Sequence, residues 1–213
     1  MIHHMPSPTL TGSLFSPVSS KAKESEGELW CGIDPGVTGA LAFLRMGPVR
    51  PVIVAVVPMP VTREMKNGKL QGKADYNWAA VAEALRDYDP DYTVIERQWP
   101  RPHEGVVSSF KSGGGYQGLL AILATLELRH ETVSPPTWKN ALGLRGHEKN
   151  LSRELALKLL PEGGPAFARK KDHGPAEAAL LILWKAKYET SPLARSLGSR
   201  GGPRTLELGV ATR

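Results

Sequence analysis

Leu29-Trp30-Cys31-Gly32-Ile33-Asp34-Pro35-Gly36-Val37-Thr38-Gly39-Ala40-Leu41-Ala42-Phe43 decides the fold. The segment reads as an apolar β-strand that ends in a carboxylate, a tight turn at Pro35-Gly36, and a second apolar strand running back from Gly39. Asp is a poor strand residue, so its place at the inner end of such a strand needs a reason. A turn-forming Asp before Pro-Gly is one reason. Two further acids in similarly awkward positions argue for another.

Working outward, Arg50 to Val57 is a third strand, and three strands joined by short turns form an antiparallel meander. Pro58 to Lys73 loses apolar character and gains Arg63, Lys66, Lys69 and Lys73 around Asn67-Gly68, so it reads as a basic loop or hairpin tip. It is either a solvated connection or an arm over a phosphate backbone. Tyr76 to Tyr88 has the helical period through Trp78, Val81, Ala82 and Leu85, and Asp89-Pro90 stops it. Tyr92 to Ile95 is a short strand ending in Glu96. A helix between apolar strands implies a crossover to a parallel neighbour. If that neighbour is the first strand, Asp34 and Glu96 emerge at one sheet end.

Ser108 to His130 reads as a helix carrying Gly113-Gly114-Gly115, costly at about 1 kcal/mol per glycine relative to Ala. Such a run implies close approach by a helix, a dimer partner or a nucleic-acid backbone. It is not a Walker loop, because no Lys-Ser/Thr follows it. Glu131 to Val133 is a brief strand, and short helices are expected from Pro135 and over His147 to Leu160. Lys139, Arg145, Lys149, Arg153 and Lys158 form a basic stripe there. The last helix opens at Asp172 or His173, tolerates Pro175 in its first turn, carries Glu177, and is apolar nearly all round, so it packs flat on the sheet.

The chain has 213 residues and a formal net charge of +6, enough for one domain with tails and suited to an anionic partner. No apolar run approaches the roughly 20 residues that span a bilayer. The one cysteine excludes an internal disulfide and a Cys-based zinc site, and favours a reducing compartment. Residues 1–27, rich in Ser and Pro, and 190–213 read as disordered tails around a domain at 28–189. Drawing Asp34, Glu96 and the Asp172/Glu177 pair together costs Coulomb repulsion that a divalent cation relieves. Hard oxygen donors suit Mg²⁺ or Mn²⁺, and two such ions suit phosphodiester hydrolysis.

The order strand-Asp, meander, helix, strand-Glu, helices and carboxylate-bearing last helix resembles the RNase H-like superfamily. Within it, Gly32 to Ala40, Val94 to Gln98 and Lys171 to Ala178 look like RuvC-type Holliday junction resolvases, nearer to the phage and plastid MOC1-type branch. Pro135 to Lys139 and Lys149 to Arg153 share that likeness. The resemblance implies an α/β RNase H-like fold with a mixed five-stranded sheet flanked by helices. It implies a homodimer that nicks four-way branched DNA symmetrically, with two Mg²⁺ per site and Mn²⁺ as a substitute. A branch-migration helicase is a candidate second partner, with a bacterial or viral nucleoid as the setting and a chloroplast as the alternative.

By the same resemblance Asp34 and Glu96 are core metal ligands, Glu177 is the helix ligand and Asp172 is the remaining acid. His173 is a candidate for positioning water or stabilising the leaving group. Trp99, Lys111, Gly114, Tyr116, Lys139, Lys149, Arg153 and Lys171 are candidate DNA contacts. Two other readings compete. One is a non-catalytic branched-DNA-binding module of the same fold. The other is a fragment of an actin-like or sugar-kinase-type ATPase, whose phosphate hairpin Ile33 to Ala40 also resembles. The kinase reading needs two such domains, and no second hairpin is present.

Overall fold

The computed structural model describes residues 27–66, 69–100, 104–144 and 149–190; all of both expected tails but Gly27 and Thr190 lies outside them. Strands β1 (Leu29–Asp34), β2 (Ala40–Arg45) and β3 (Val52–Pro58) form the antiparallel meander, and β6 (Tyr92–Glu96) and β7 (His130–Val133) add in parallel. The sheet order is β3-β2-β1-β6-β7. Between β3 and β6 come the hairpin β4 (Val61–Lys66) and β5 (Lys69–Tyr76), then α1 (Trp78–Tyr88). Helix α2 (Val106–Thr125) joins β6 to β7. After β7 follow α3 (Pro135–Ala141), α4 (Lys149–Leu159), the short α5 (Gly164–Phe167) and α6 (His173–Thr190).

The strands are apolar on both sides because helices cover both faces. Alternation along β1 divides its side chains. Leu29, Cys31 and Ile33 join Val81, Leu85, Tyr116, Leu119 and Leu123 of α1 and α2. Trp30 faces the other cluster with Trp138, Ala156, Leu160, Phe167 and the apolar body of α6. Burial pushes the Cys31 thiol well above its ordinary range, so it stays protonated and packs as an apolar residue. Helix α6 lies flat on the centre of the sheet because β1 has no side chain at Gly32, where a methyl group would overlap the Ala178 carbonyl.

Of the two readings of Pro58 to Lys73 the hairpin holds: β4 and β5 pair as a separate two-stranded sheet, with Asn67-Gly68 outside the described residues. Two other expectations change in detail. Tyr76 ends β5 rather than starting the helix, and Asn77 caps α1 by accepting from the Ala80 N–H at 3.2 Å. Helix α2 stops at Thr125, and Glu127, at φ 55°, turns the chain into β7.

Replacing Gly32 with alanine forces α6 off the sheet. Unfolding in urea should show a loss of about 1–3 kcal/mol, the range for overpacking a filled core. A variant as stable as the wild type would mean that α6 does not rest on β1 at that point.

Candidate metal centre

Parallel pairing sets Ile33 beside Ile95, so the next residues, Asp34 and Glu96, leave the sheet side by side. The turn after Asp34 is built by two glycines. Gly36 has φ 125°, a conformation open to glycine, and Gly39 lies so close to the Asp34 carbonyl that no side chain fits. The Gly39 N–H closes the turn onto the Gly36 carbonyl at 2.9 Å. From above, the first turn of α6 brings Gly174 against Thr38 and Gly39, 3.1 Å from the Asp34 carboxylate measured from where a β-carbon would sit. One turn of helix from there places Glu177 over the same spot.

Oxygen atoms of Asp34, Glu96 and Glu177 lie within 4.8 Å of one another. Glu96 and Glu177 are buried, while Asp34 is partly exposed. At that spacing each carboxylate pair repels by about 3–4 kcal/mol at an effective dielectric of about 20. Neighbouring donors offset part of this. The Trp138 indole donates to Glu96 Oε2 at 2.8 Å, the Ser152 hydroxyl donates to Glu177 Oε1 at 3.0 Å, and Lys139 Nζ pairs with Glu177 Oε2 at 2.8 Å. Lys139 also stands 3.9 Å from Glu96. A three-carboxylate set without sulfur or imidazole suits a hard divalent cation such as Mg²⁺ or Mn²⁺. Asp34 is the one of the three most open to solvent.

The other candidate residues are distributed as follows. Asp172 is buried but outside this group: it accepts from the Arg169 backbone N–H at 2.8 Å and from the Arg169 guanidinium at 3.0 Å. His173 is the first residue of α6 and half-buried. Lys139 does not sit on an outward stripe, since its ammonium is inside the acid cluster. Arg153 is partly buried and donates to two neutral groups, the Asn150 side chain at 2.9 Å and the Phe167 carbonyl at 3.4 Å, which brace α4 and leave its charge uncompensated among the described residues. Tyr116 is buried in the core, so no base can stack on it. Trp99 is 60% exposed with the Arg97 guanidinium 5.6 Å from its ring. Lys111, Gly114 and Lys171 are exposed, and Lys149 opens α4. Arg145 lies outside the described residues.

Trp138 and Ser152 escaped the sequence reading. Their signal was faint: a tryptophan beside the basic stripe, and a serine on the apolar side of an amphipathic helix.

No family model matches the chain. A chloroplastic Holliday junction resolvase, MOC1, of Chlamydomonas reinhardtii is 30% identical over 94 residues, which is 44% of this chain and 11% of that protein. The chain therefore spans about a tenth of that relative's length. The structure of RuvC from T. thermophilus, in complex with a Holliday junction substrate, superposes with a TM-score of 0.50 at 17% identity. That match covers 75% of this chain and 95% of the RuvC chain. A second Thermus thermophilus RuvC structure gives a TM-score of 0.47 at 21% identity, over 76% of this chain and 97% of the other. The architecture is thus the RuvC-like one.

The Arg169 contact makes a prediction about Asp172. Burial pushes its carboxyl up, but the Arg169 bonds and charge outweigh that and hold it below the usual range. A lowered folded value means stability that is fully present above the unfolded value, near 3.9, and lost as pH falls through the folded one. Asp172→Asn should cost roughly 1–3 kcal/mol at neutral pH, with the gap to wild type closing in acid below about pH 4. Its affinity for Mn²⁺ by calorimetry should be unchanged. Lost Mn²⁺ binding would make Asp172 a ligand.

Proposed function

We propose that this chain is a divalent-metal-dependent endodeoxyribonuclease that resolves four-way DNA junctions by nicking two symmetric strands. The observation that carries the reading is the convergence of Asp34, Glu96 and Glu177 within 4.8 Å at one end of a RuvC-like sheet. The partial likeness to the algal resolvase supports the substrate, and the chloroplast address in that protein's name supports the plastid alternative.

In this reading Asp34, Glu96 and Glu177 hold two Mg²⁺ ions, with Mn²⁺ able to replace them. Bound there, the ions supply an activated water and charge neutralisation at the scissile phosphate. Trp138 and Ser152 fix the carboxylates that they contact, so these enter the reaction already oriented. Lys139 adds positive charge on the same floor and draws in the phosphate. His173, next to the glycine that abuts Asp34, is assigned to water positioning or to the leaving oxygen. Trp99 offers an exposed ring for a base at the opened crossover, and Arg97 stiffens it. Lys111, Gly114, Lys149 and Lys171 are assigned to the DNA backbone.

A second copy completes the enzyme, because cutting two strands at once needs two sites. The first half of α2 supports such a contact. Val106, Val107 and Phe110 are 85%, 66% and 83% exposed, and Gly113 and Gly114 have nothing near them. Apolar side chains and bare backbone on one helix suit close approach by the same helix of a partner.

Purified protein should nick a synthetic mobile four-way junction when Mg²⁺ is added and leave linear duplex intact, and Asp34→Asn should lose at least a hundredfold in rate. Absence of magnesium-dependent nicking, or undiminished cutting by the variant, would reject the nuclease.

A further inference from the structure

The two buried carboxylates of the centre are held by packed protein groups, oxygen by oxygen. Glu96 Oε2 accepts from the Trp138 indole at 2.8 Å, and Glu177 Oε1 accepts from the Ser152 hydroxyl at 3.0 Å. Glu177 Oε2 takes the Lys139 ammonium at 2.8 Å, and that ammonium stands 3.9 Å from Glu96 Oε2. Glu96 Oε1 has the Gln98 amide at 3.4 Å.

Two of these donors have little freedom of their own. Trp138 is fully buried in the apolar cluster with Trp30, Leu160 and Phe167, and an indole offers a single N–H and no acceptor. If Glu96 rotated away, that N–H would stay buried without a partner, at the full cost of its desolvation. Ser152 is buried on α4 and reaches across to Glu177 on α6. Each donor therefore resists rotation of the carboxylate it holds.

Rotation matters because divalent cations differ in how they use a carboxylate. Mg²⁺ takes about six oxygens in a near-ideal octahedron at about 2.0–2.1 Å, and Mn²⁺ shares the octahedral preference. Carboxylates serve such a shell with one oxygen each. Ca²⁺ takes roughly six to eight oxygens at about 2.3–2.6 Å and often draws two of them from one carboxylate. A carboxylate with one oxygen pinned by a buried donor gives a single oxygen readily and gives two only by straining or breaking that bond.

We propose that Trp138 and Ser152 set the cation choice of this centre. By pinning one oxygen each of Glu96 and Glu177, they hold both acids to single-oxygen ligation and turn the site against Ca²⁺. The inference rests on the metal-dependent reading above and deepens it, because it assigns the selectivity of that site to two positioning residues that act through the carboxylates.

The test is calorimetric titration of the full chain, without DNA, with Mn²⁺ and separately with Ca²⁺, so that binding is read apart from cutting. The wild type should bind Mn²⁺ the more tightly. Ser152→Ala and Trp138→Phe should each lower the ratio of Mn²⁺ to Ca²⁺ affinity about tenfold, the scale on which such supporting bonds act. General loosening of the site would weaken both cations alike and leave the ratio where it was, so the ratio separates positioning from packing. Trp138→Phe also leaves a gap in the core. Ser152→Ala removes one oxygen atom and carries the test by itself where the Phe variant does not fold. An unchanged ratio in Ser152→Ala, or a wild type that prefers Ca²⁺, would overturn the selectivity alone. A wild type that binds neither ion would remove the metal centre, and the nuclease reading with it.

Discussion

Three carboxylates held within 4.8 Å of one another, two of them buried, set the terms for everything around them. Each would sit more comfortably in water. They are kept together because the elements that carry them cannot move apart. Parallel pairing fixes Asp34 and Glu96 to one sheet end, and contact through Gly32 and Gly174 presses α6, with Glu177, onto that end. The repulsion is a standing cost met by packing on both faces of the sheet. Lys139, Trp138 and Ser152 reduce it without removing the capacity for a cation.

Strand ends and helix starts recur as places for chemistry because they are where a rigid element meets solvent. In this chain the rigidity is two-sided. Two apolar clusters grip β1, one through α1 and α2 and one through α6. The turn after Asp34 is also braced from outside the sheet, where the Met59 N–H bonds the Gly39 carbonyl at 2.9 Å. A centre built this way is oriented before any ligand arrives, as the proposed chemistry at a phosphate requires.

Much of this was legible in the sequence, for a physical reason. An apolar strand that ends in an acid is a conflict between propensity and position, and such conflicts gather at sites. Asp34 and Glu96 both showed it. The last helix was harder, because Asp172 and Glu177 each have an ordinary explanation at a helix start. Asp172 is not in the cluster and is held by Arg169 instead. Charge in a sequence carries no face: Lys139 of the basic stripe turns inward to the acids, while Arg153 leans on the neutral Asn150 side chain. The glycine run implies close approach. That holds at Gly115, where the Tyr76 ring rests, while Gly113 and Gly114 stay bare. The hairpin was half seen, because Asn67-Gly68 signals a turn but polar, charged strands carry little apolar alternation.

The account stands or falls on whether Asp34, Glu96 and Glu177 share metal. Crystals of the protein soaked in Mn²⁺ and measured near the manganese absorption edge give a direct answer. Anomalous density lying between the side chains of these three residues, and absent in Glu177→Gln, is the expected result. Density bound only at Asp172, or none at the three carboxylates under saturating Mn²⁺, would contradict it.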